Sequence, residues 1–127
     1  MYLLDTDVCI QFMKKDEAVV NMVRAIKEIN ISVVTLAELF YGVYSSKNRE
    51  KHMKSLGDFL SGVDILNAEL PVAVNFGTIK SELRAKGKLA GDFDIMNGAF
   101  ARAYGLTLIT RNIRHYKPIR GIRIEPV

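Results

Sequence analysis

One cysteine, three prolines, two histidines and no long apolar stretch set the first limits on this chain. Cys9 has no partner for an intrachain disulfide, so no disulfide framework holds the fold. It lies in the apolar run Val8-Cys9-Ile10 and reads as a buried core thiol, in keeping with a reducing compartment. The two histidines, His52 and His115, are not placed as a ligand pair, and both read as surface residues. No segment approaches the roughly 20 apolar residues of a membrane-spanning helix. Met1-Tyr2-Leu3-Leu4-Asp5 lacks the basic residues that precede the apolar run of a signal peptide. The expectation is a soluble, cytoplasmic protein with no membrane association. No repeat, low-complexity tract or Pro/Gly-rich linker divides the chain, so residues 1–127 are expected to form a single domain.

What is present is ordinary globular material, 49% hydrophobic and 25% charged. At 127 residues the chain can bury a core without covalent staples. The net charge of +4 favours a polyanionic partner. Basic residues concentrate in two places. Arg111, Arg114, Lys117, Arg120 and Arg123 face a single nearby acid, Glu125, and Lys80, Arg84, Lys86 and Lys88 precede Gly91. By themselves both runs read as solvated faces that keep the protein soluble.

Short β-like runs alternate with longer helical patterns. Tyr2 to Asp5 reads as a strand ending in a carboxylate. Thr6 is placed to cap a helix from Asp7 to Lys14, and Glu17 to Ile29 has apolar residues at helical spacing, with Asn30 as its end. Ile31 to Val34 reads as a second strand, with Thr35 capping a helix through Val43. Helices are expected over Asn48 to Gly62, from Pro71 to about Lys86 with Gly87 as the stop, and over Asp94 to Tyr104 ending at Gly105. Val63 to Leu66, Thr107 to Thr110 and Ile122 to Glu125 complete the strands. This alternation predicts an α/β fold in three layers, a central parallel sheet of four to five strands with helices on both faces.

Open parallel sheets bind ligands beyond the carboxyl ends of their strands, where the strand order reverses. By that rule Asp5, Glu38, Asp94, Thr110 and Asn112 converge at one edge. Three carboxylates brought together repel one another and persist chiefly when a cation neutralises them. Oxygen ligands select a hard ion, Mg²⁺ or Mn²⁺, over zinc. Each acid also has a structural reading. Asp5 can cap the helix that follows, Glu38 can close a capping box with Thr35, and Asp94 or Asp92 can cap the Ala-rich helix. Taken singly each acid fits the structural reading better, and the joint pattern favours a site, with Asp5 directly after a fully apolar strand where a stray charge is costly.

Four ordered segments resemble the motifs of PIN-domain nucleases of the VapC toxin type. They are Leu4-Asp5-Thr6-Asp7; Ile31 to Leu39 followed by Tyr41-Gly42-Val43; Gly91-Asp92-Phe93-Asp94-Ile95-Met96 with Ala99; and Leu106 to Asn112 with His115-Tyr116. The resemblance spans essentially the whole chain and identifies it as a single PIN domain, the toxin of a type II toxin–antitoxin pair. It implies a Mg²⁺- or Mn²⁺-dependent endoribonuclease with Asp5, Glu38 and Asp94 as the metal-binding and catalytic acids. Thr6, Asp92, Thr110 and Asn112 take supporting or phosphate-positioning roles. An RNA substrate, a VapB-like antitoxin and a homodimer are the implied partners, with Phe12, Phe40, Tyr41 and Tyr44 available for interfaces or core, and Phe40 expected in the core. The chain departs from the family pattern at Asp7, where Asn is usual, at Asn112, where some relatives carry a fourth acid, and at Asn97 and Gly98, where apolar or small residues are usual. The last departure is expected to touch helix packing more than chemistry.

The sequence contains no Ser/His/Asp or Cys/His arrangement, so the expected nucleophile is water activated by the metal, leaving a 5′-phosphate and a 3′-hydroxyl. Two other readings exist. Asp5-Thr6-Asp7-Val8 also resembles the first motif of haloacid-dehalogenase-like phosphatases, in which the first Asp is a covalent nucleophile. A non-catalytic RNA-binding PIN module is the other.

Overall fold

A computed structural model describes residues 1–88 and 90–127. Its elements, in chain order, are β1 (Tyr2–Leu4), α1 (Thr6–Met13), α2 (Glu17–Ala25), β2 (Ile29–Ser32), α3 (Val33–Tyr44), α4 (Arg49–Leu60), β3 (Asp64–Leu66), α5 (Leu70–Ala85), α6 (Asp92–Tyr104), β4 (Thr107–Thr110), α7 (Ile113–Tyr116) and β5 (Arg123–Pro126). The strands form one parallel sheet in the order β3-β2-β1-β4-β5, as the alternating pattern predicts.

Side chains alternate across the pleat and feed two cores. On one face Leu3 of β1 and Leu108 of β4 pack against Val72, Ile79 and Leu83 of α5, Ile95 and Phe100 of α6, and Tyr116 of α7. On the other, Leu4 and Ile109 pack against Val8 of α1, Val19 and Val23 of α2, Leu39 and Val43 of α3, and Leu56 of α4. The neighbouring Cys9 is buried in the second core, which raises its pKa and leaves it a packing thiol. The result is the expected three-layer fold. Among the described residues no helix is long and apolar enough to cross a membrane. Phe12 and Phe40 pack partly buried against the second core, whereas Tyr41 and Tyr44 are exposed on α3.

Several boundaries differ from the sequence reading, the largest because strand pairing overrides the local pattern. The helix expected over Glu17 to Ile29 ends at Ala25, and Ile29 and Asn30 join β2 instead. There Ile29 pairs with Tyr2, and the buried Asn30 amide donates to the Tyr2 carbonyl at 3.1 Å. Strand β2 therefore ends at Ser32, and Val33 and Val34, read as strand, open α3. Ser32, not Thr35, caps α3, its Oγ accepting the Thr35 N–H at 3.0 Å. The capping box drawn between Thr35 and Glu38 does not form, which frees the Glu38 carboxylate for other partners. Asp5 rather than Thr6 is the N-cap of α1. Helix α6 begins at Asp92, two residues early, with Gly91 at its N-cap, so neither Asp92 nor Asp94 caps it. The four-residue α7 is too short to leave a periodic signal and was not anticipated.

The strand order reverses between β1 and β4. The Asp5 N–H continues the ladder onto the Ile109 carbonyl at 3.0 Å, so the ends of the two central strands are held side by side. Leu108, fully buried in β4, is expected to lose about 2–5 kcal/mol of stability as Leu108→Ala. Tyr41→Ala on the exposed face of α3 is expected to change stability by less than about 0.5 kcal/mol. Urea denaturation of the two variants measures both.

Candidate active site

Asp5 stands at the end of β1 and is only 5% exposed. Its Oδ1 accepts from the Thr6 N–H at 2.9 Å, Asn97 Nδ2 at 3.2 Å and the Tyr116 hydroxyl at 2.9 Å. Its Oδ2 accepts from Thr110 Oγ1 at 2.8 Å. Four donors keep this buried carboxylate solvated by the protein in place of water. Among the described residues no lysine or arginine forms a salt bridge with it.

Asp94 lies in the first turn of α6, where the helix dipole favours a carboxylate. Its Oδ1 accepts from the same Tyr116 hydroxyl at 3.2 Å, and its Oδ2 lies 2.9 Å from His115 Nδ1. Glu38 projects from the second turn of α3 and accepts from Thr6 Oγ1 at 2.6 Å. Thr6 Oγ1 is 3.1 Å from Thr35 Oγ1, which accepts from Asn97 Nδ2 at 3.2 Å. One unbroken hydrogen-bond path thus runs from Glu38 through Thr6, Thr35, Asn97, Asp5, Tyr116 and Asp94 to His115.

Of the supporting residues named from the sequence, Thr6 and Thr110 belong to this network. Asn112 touches it through its N–H, which donates to Thr110 Oγ1 at 2.9 Å. Asp92 stands outside it, in an exposed ion pair with Lys80 at 2.9 Å. Asp7 accepts from Asn112 Nδ2 at 3.1 Å and from the Arg111 N–H at 3.3 Å, so two of the positions that depart from the family pattern are bonded to each other.

Four members were missed, and of these Thr35 reads from the sequence only as a helix cap. Asn97 is not merely a packing residue, for it is 1% exposed and accepts from Ser32 Oγ at 2.6 Å while donating into the acidic network. Its signal was available, because Asn97 lies three residues after Asp94 and so on the same helix face. His115 is exposed as expected, yet it pairs with Asp94. Tyr116 closes the fourth motif, but its contact with Asp5 has no local signal, since it spans the length of the chain.

Beside the acids opens a cleft of about 690 Å³ lined by Gly91, Asp94, Arg111, Asn112, Arg114 and His115. Arg111 is steadied by Asp16 at 3.0 Å. The cleft lining therefore combines the Asp94 carboxylate with two arginines. Among the described residues no three Asp, Glu, His or Cys side chains stand close enough together to close around an ion in this conformation. The chemistry of the donor set, carboxylates with hydroxyls and an amide, suits a hard divalent cation.

Burial, followed by the charge of Asp5, raises the Asp7 pKa from the ordinary 3.8 to about 6. The folded protein therefore holds a proton there that the unfolded chain has released, and stability falls as pH rises from about 4 to about 6. In chelator-treated buffer Asp7→Asn is expected to be more stable than the parent by about 1 kcal/mol above pH 7, an amount reduced by solvent screening of this half-buried group. The difference should vanish near pH 3.5. Urea titrations at the two pH values test the sign.

The sequence pattern of the PIN domain matches residues 2–119 of this chain. Ribonuclease VapC2 of Haemophilus influenzae is 36% identical over 126 residues, covering 98% of this chain and 96% of its own. The tRNA(fMet)-specific endonuclease VapC of Shigella flexneri is 34% identical with the same coverage. In three dimensions the chain superposes on the crystal structure of VapBC2 from Rickettsia felis bound to a DNA fragment from their promoter, with a TM-score of 0.95, 32% identity and 99% and 98% of the two chains covered. VapC nucleases of the PIN-domain type generally depend on a divalent metal. The haloacid-dehalogenase likeness of Asp5-Thr6-Asp7 was confined to one short segment and gives way to a match over the full fold. With its parallel sheet, its pattern match over residues 2–119 and these relatives, the chain belongs to the PIN-domain family, among the VapC ribonucleases.

Proposed function

We propose that this chain is the toxin of a type II toxin–antitoxin pair, an endoribonuclease that acts in the cytoplasm as one PIN domain over residues 1–127. In this reading Asp5, Glu38 and Asp94 hold Mg²⁺ or Mn²⁺. The observation that carries it is the single hydrogen-bond network that unites these three acids beside an arginine-lined cleft. A bound ion supplies an activated water and offsets charge gathering on the scissile phosphate.

The protein's own groups do the rest. Thr110 and Asn97 hold Asp5 in orientation, and His115 holds Asp94. Thr6 holds the Glu38 carboxylate through its hydroxyl. Arg111 and Arg114 attract the RNA backbone into the cleft without reading its sequence. Asn112, which also lines the cleft, is available to a phosphate oxygen. Hydrolysis by water leaves a 5′-phosphate and a 3′-hydroxyl.

A VapB-like antitoxin and a second copy of the chain are the protein partners. The relative from Rickettsia felis, crystallised as VapBC2, supports the first, and exposed Tyr41 and Tyr44 on α3 offer apolar contact surface. The name of the Shigella flexneri relative makes tRNA(fMet) the first substrate to try.

The test is cleavage of tRNA(fMet) and of total RNA with Mg²⁺ or Mn²⁺, followed by mapping of the new 5′ ends. Asp5→Asn, Glu38→Gln and Asp94→Asn are expected to lose at least about 100-fold in rate, more than changes to residues that merely support ligands. Asp92→Asn, outside the network, should stay within about 3-fold, as befits an exposed ion pair. Chelation should abolish cutting. Equal cutting by all four variants and the parent would point to a contaminant, and RNA binding without cutting by the parent would favour the non-catalytic module.

A further inference from the structure

Tyr116 has a role that the metal-binding acids do not explain. Its ring is fully buried, the largest such side chain in the protein, and packs in the core with Leu3, Phe100 and Ile119. Its hydroxyl alone leaves that core and reaches between two carboxylates, 2.9 Å from Asp5 Oδ1 and 3.2 Å from Asp94 Oδ1. The backbone around it is tied down, with the Lys117 N–H on the Ile113 carbonyl at 2.8 Å and the Ile119 N–H on the Tyr116 carbonyl at 2.9 Å. The hydroxyl position is therefore set by core packing and a helical turn.

A phenol is protonated at neutral pH and has one hydrogen to give. Here that hydrogen faces two acceptors, so it links two groups that would otherwise present lone pairs to each other. It also completes the set of donors on one side of Asp5. Oδ1 receives the Thr6 N–H, the Asn97 amide and the Tyr116 hydroxyl, whereas Oδ2 receives only Thr110. With three donors crowding Oδ1, Oδ2 is the oxygen with a lone pair to spare.

We propose that the Tyr116 hydroxyl is a positioning group for the cation site, holding Asp5 and Asp94 at a set separation and turning Asp5 Oδ2 toward the ion. The inference rests on the metal-dependent reading above and adds a residue to it. Tyr116 does not touch the ion; it acts through the two carboxylates. Groups that orient metal-binding carboxylates in this way typically govern affinity by 10–100-fold.

The experiment uses the full chain, stripped with chelator and titrated with Mn²⁺ while free Mn²⁺ is followed by electron paramagnetic resonance. Tyr116→Phe keeps the ring that fills the core and removes only the hydroxyl. Its Mn²⁺ dissociation constant is expected to rise by at least about 10-fold. At saturating Mn²⁺ its cleavage rate should return to within about 3-fold of the parent, with an unchanged KM for RNA. A variant-free reading comes from carbon NMR of tyrosines labelled at Cζ. Added Mg²⁺ should move the Tyr116 signal and leave those of the other four tyrosines in place. Equal Mn²⁺ affinity of the parent and Tyr116→Phe, or a Tyr116 signal indifferent to Mg²⁺, overturns the positioning role while leaving the metal site intact. Failure of the parent itself to bind Mn²⁺ overturns both.

Discussion

A carboxylate buried at the end of a central strand is the constraint around which this fold is organised. An ion removed from water costs several kcal/mol unless the protein supplies equivalent partners. Asp5 is almost fully buried among described residues that offer it no salt bridge, so its partners are hydrogen-bond donors. They come from separate elements: the first N–H of α1, Asn97 on α6, Thr110 at the end of β4 and Tyr116 on α7. The last three lie 92, 105 and 111 residues away in sequence. The environment that makes Asp5 tolerable therefore exists only once β1 and β4 are paired and α6 and α7 have docked. The site and the tertiary structure form together.

That dependence explains why the network is arranged as it is. The donors that solvate Asp5 also bond Asp94 through Tyr116 and reach Glu38 through Asn97, Thr35 and Thr6. Three acids from different elements are thereby held in one frame, their mutual repulsion partly offset by neutral donors. What results is a concentration of carboxylates beside a cleft lined also by Arg111 and Arg114. A site of this polarity favours a small hard cation next to a polyanion, which is the requirement of phosphodiester hydrolysis.

The departures from the family pattern are informative in the same terms. Asp7 and Asn112 are bonded to each other, so a carboxylate on one partner accompanies an amide on the other. Asn97 occupies a helix position that a nonpolar residue could fill sterically. Here its amide satisfies three separate polar groups, Asp5, Ser32 and Thr35. Buried polar networks of this kind are tolerable only when every member is satisfied, and among the described residues none is left without a partner.

Much of this architecture was legible in the residues. The β–α alternation specified a parallel sheet. Leu3-Leu4-Asp5 placed a carboxylate at the end of a buried strand, and four ordered motifs singled out Asp5, Glu38 and Asp94, which one hydrogen-bond network joins. The errors were local readings defeated by distant partners. Ile29 and Asn30 left the helix because Tyr2 was there to pair with, Thr35 yielded the cap to Ser32 once β2 was drawn into register, and Asp92 turned to Lys80. By itself the sequence determined which groups were available, because hydrophobic period and charge are properties of short segments. Tertiary structure alone decided which of them meet. A hydrogen bond is specified by distance and direction in space, and the Tyr116 hydroxyl reaches Asp5 and Asp94 only after the intervening chain has packed.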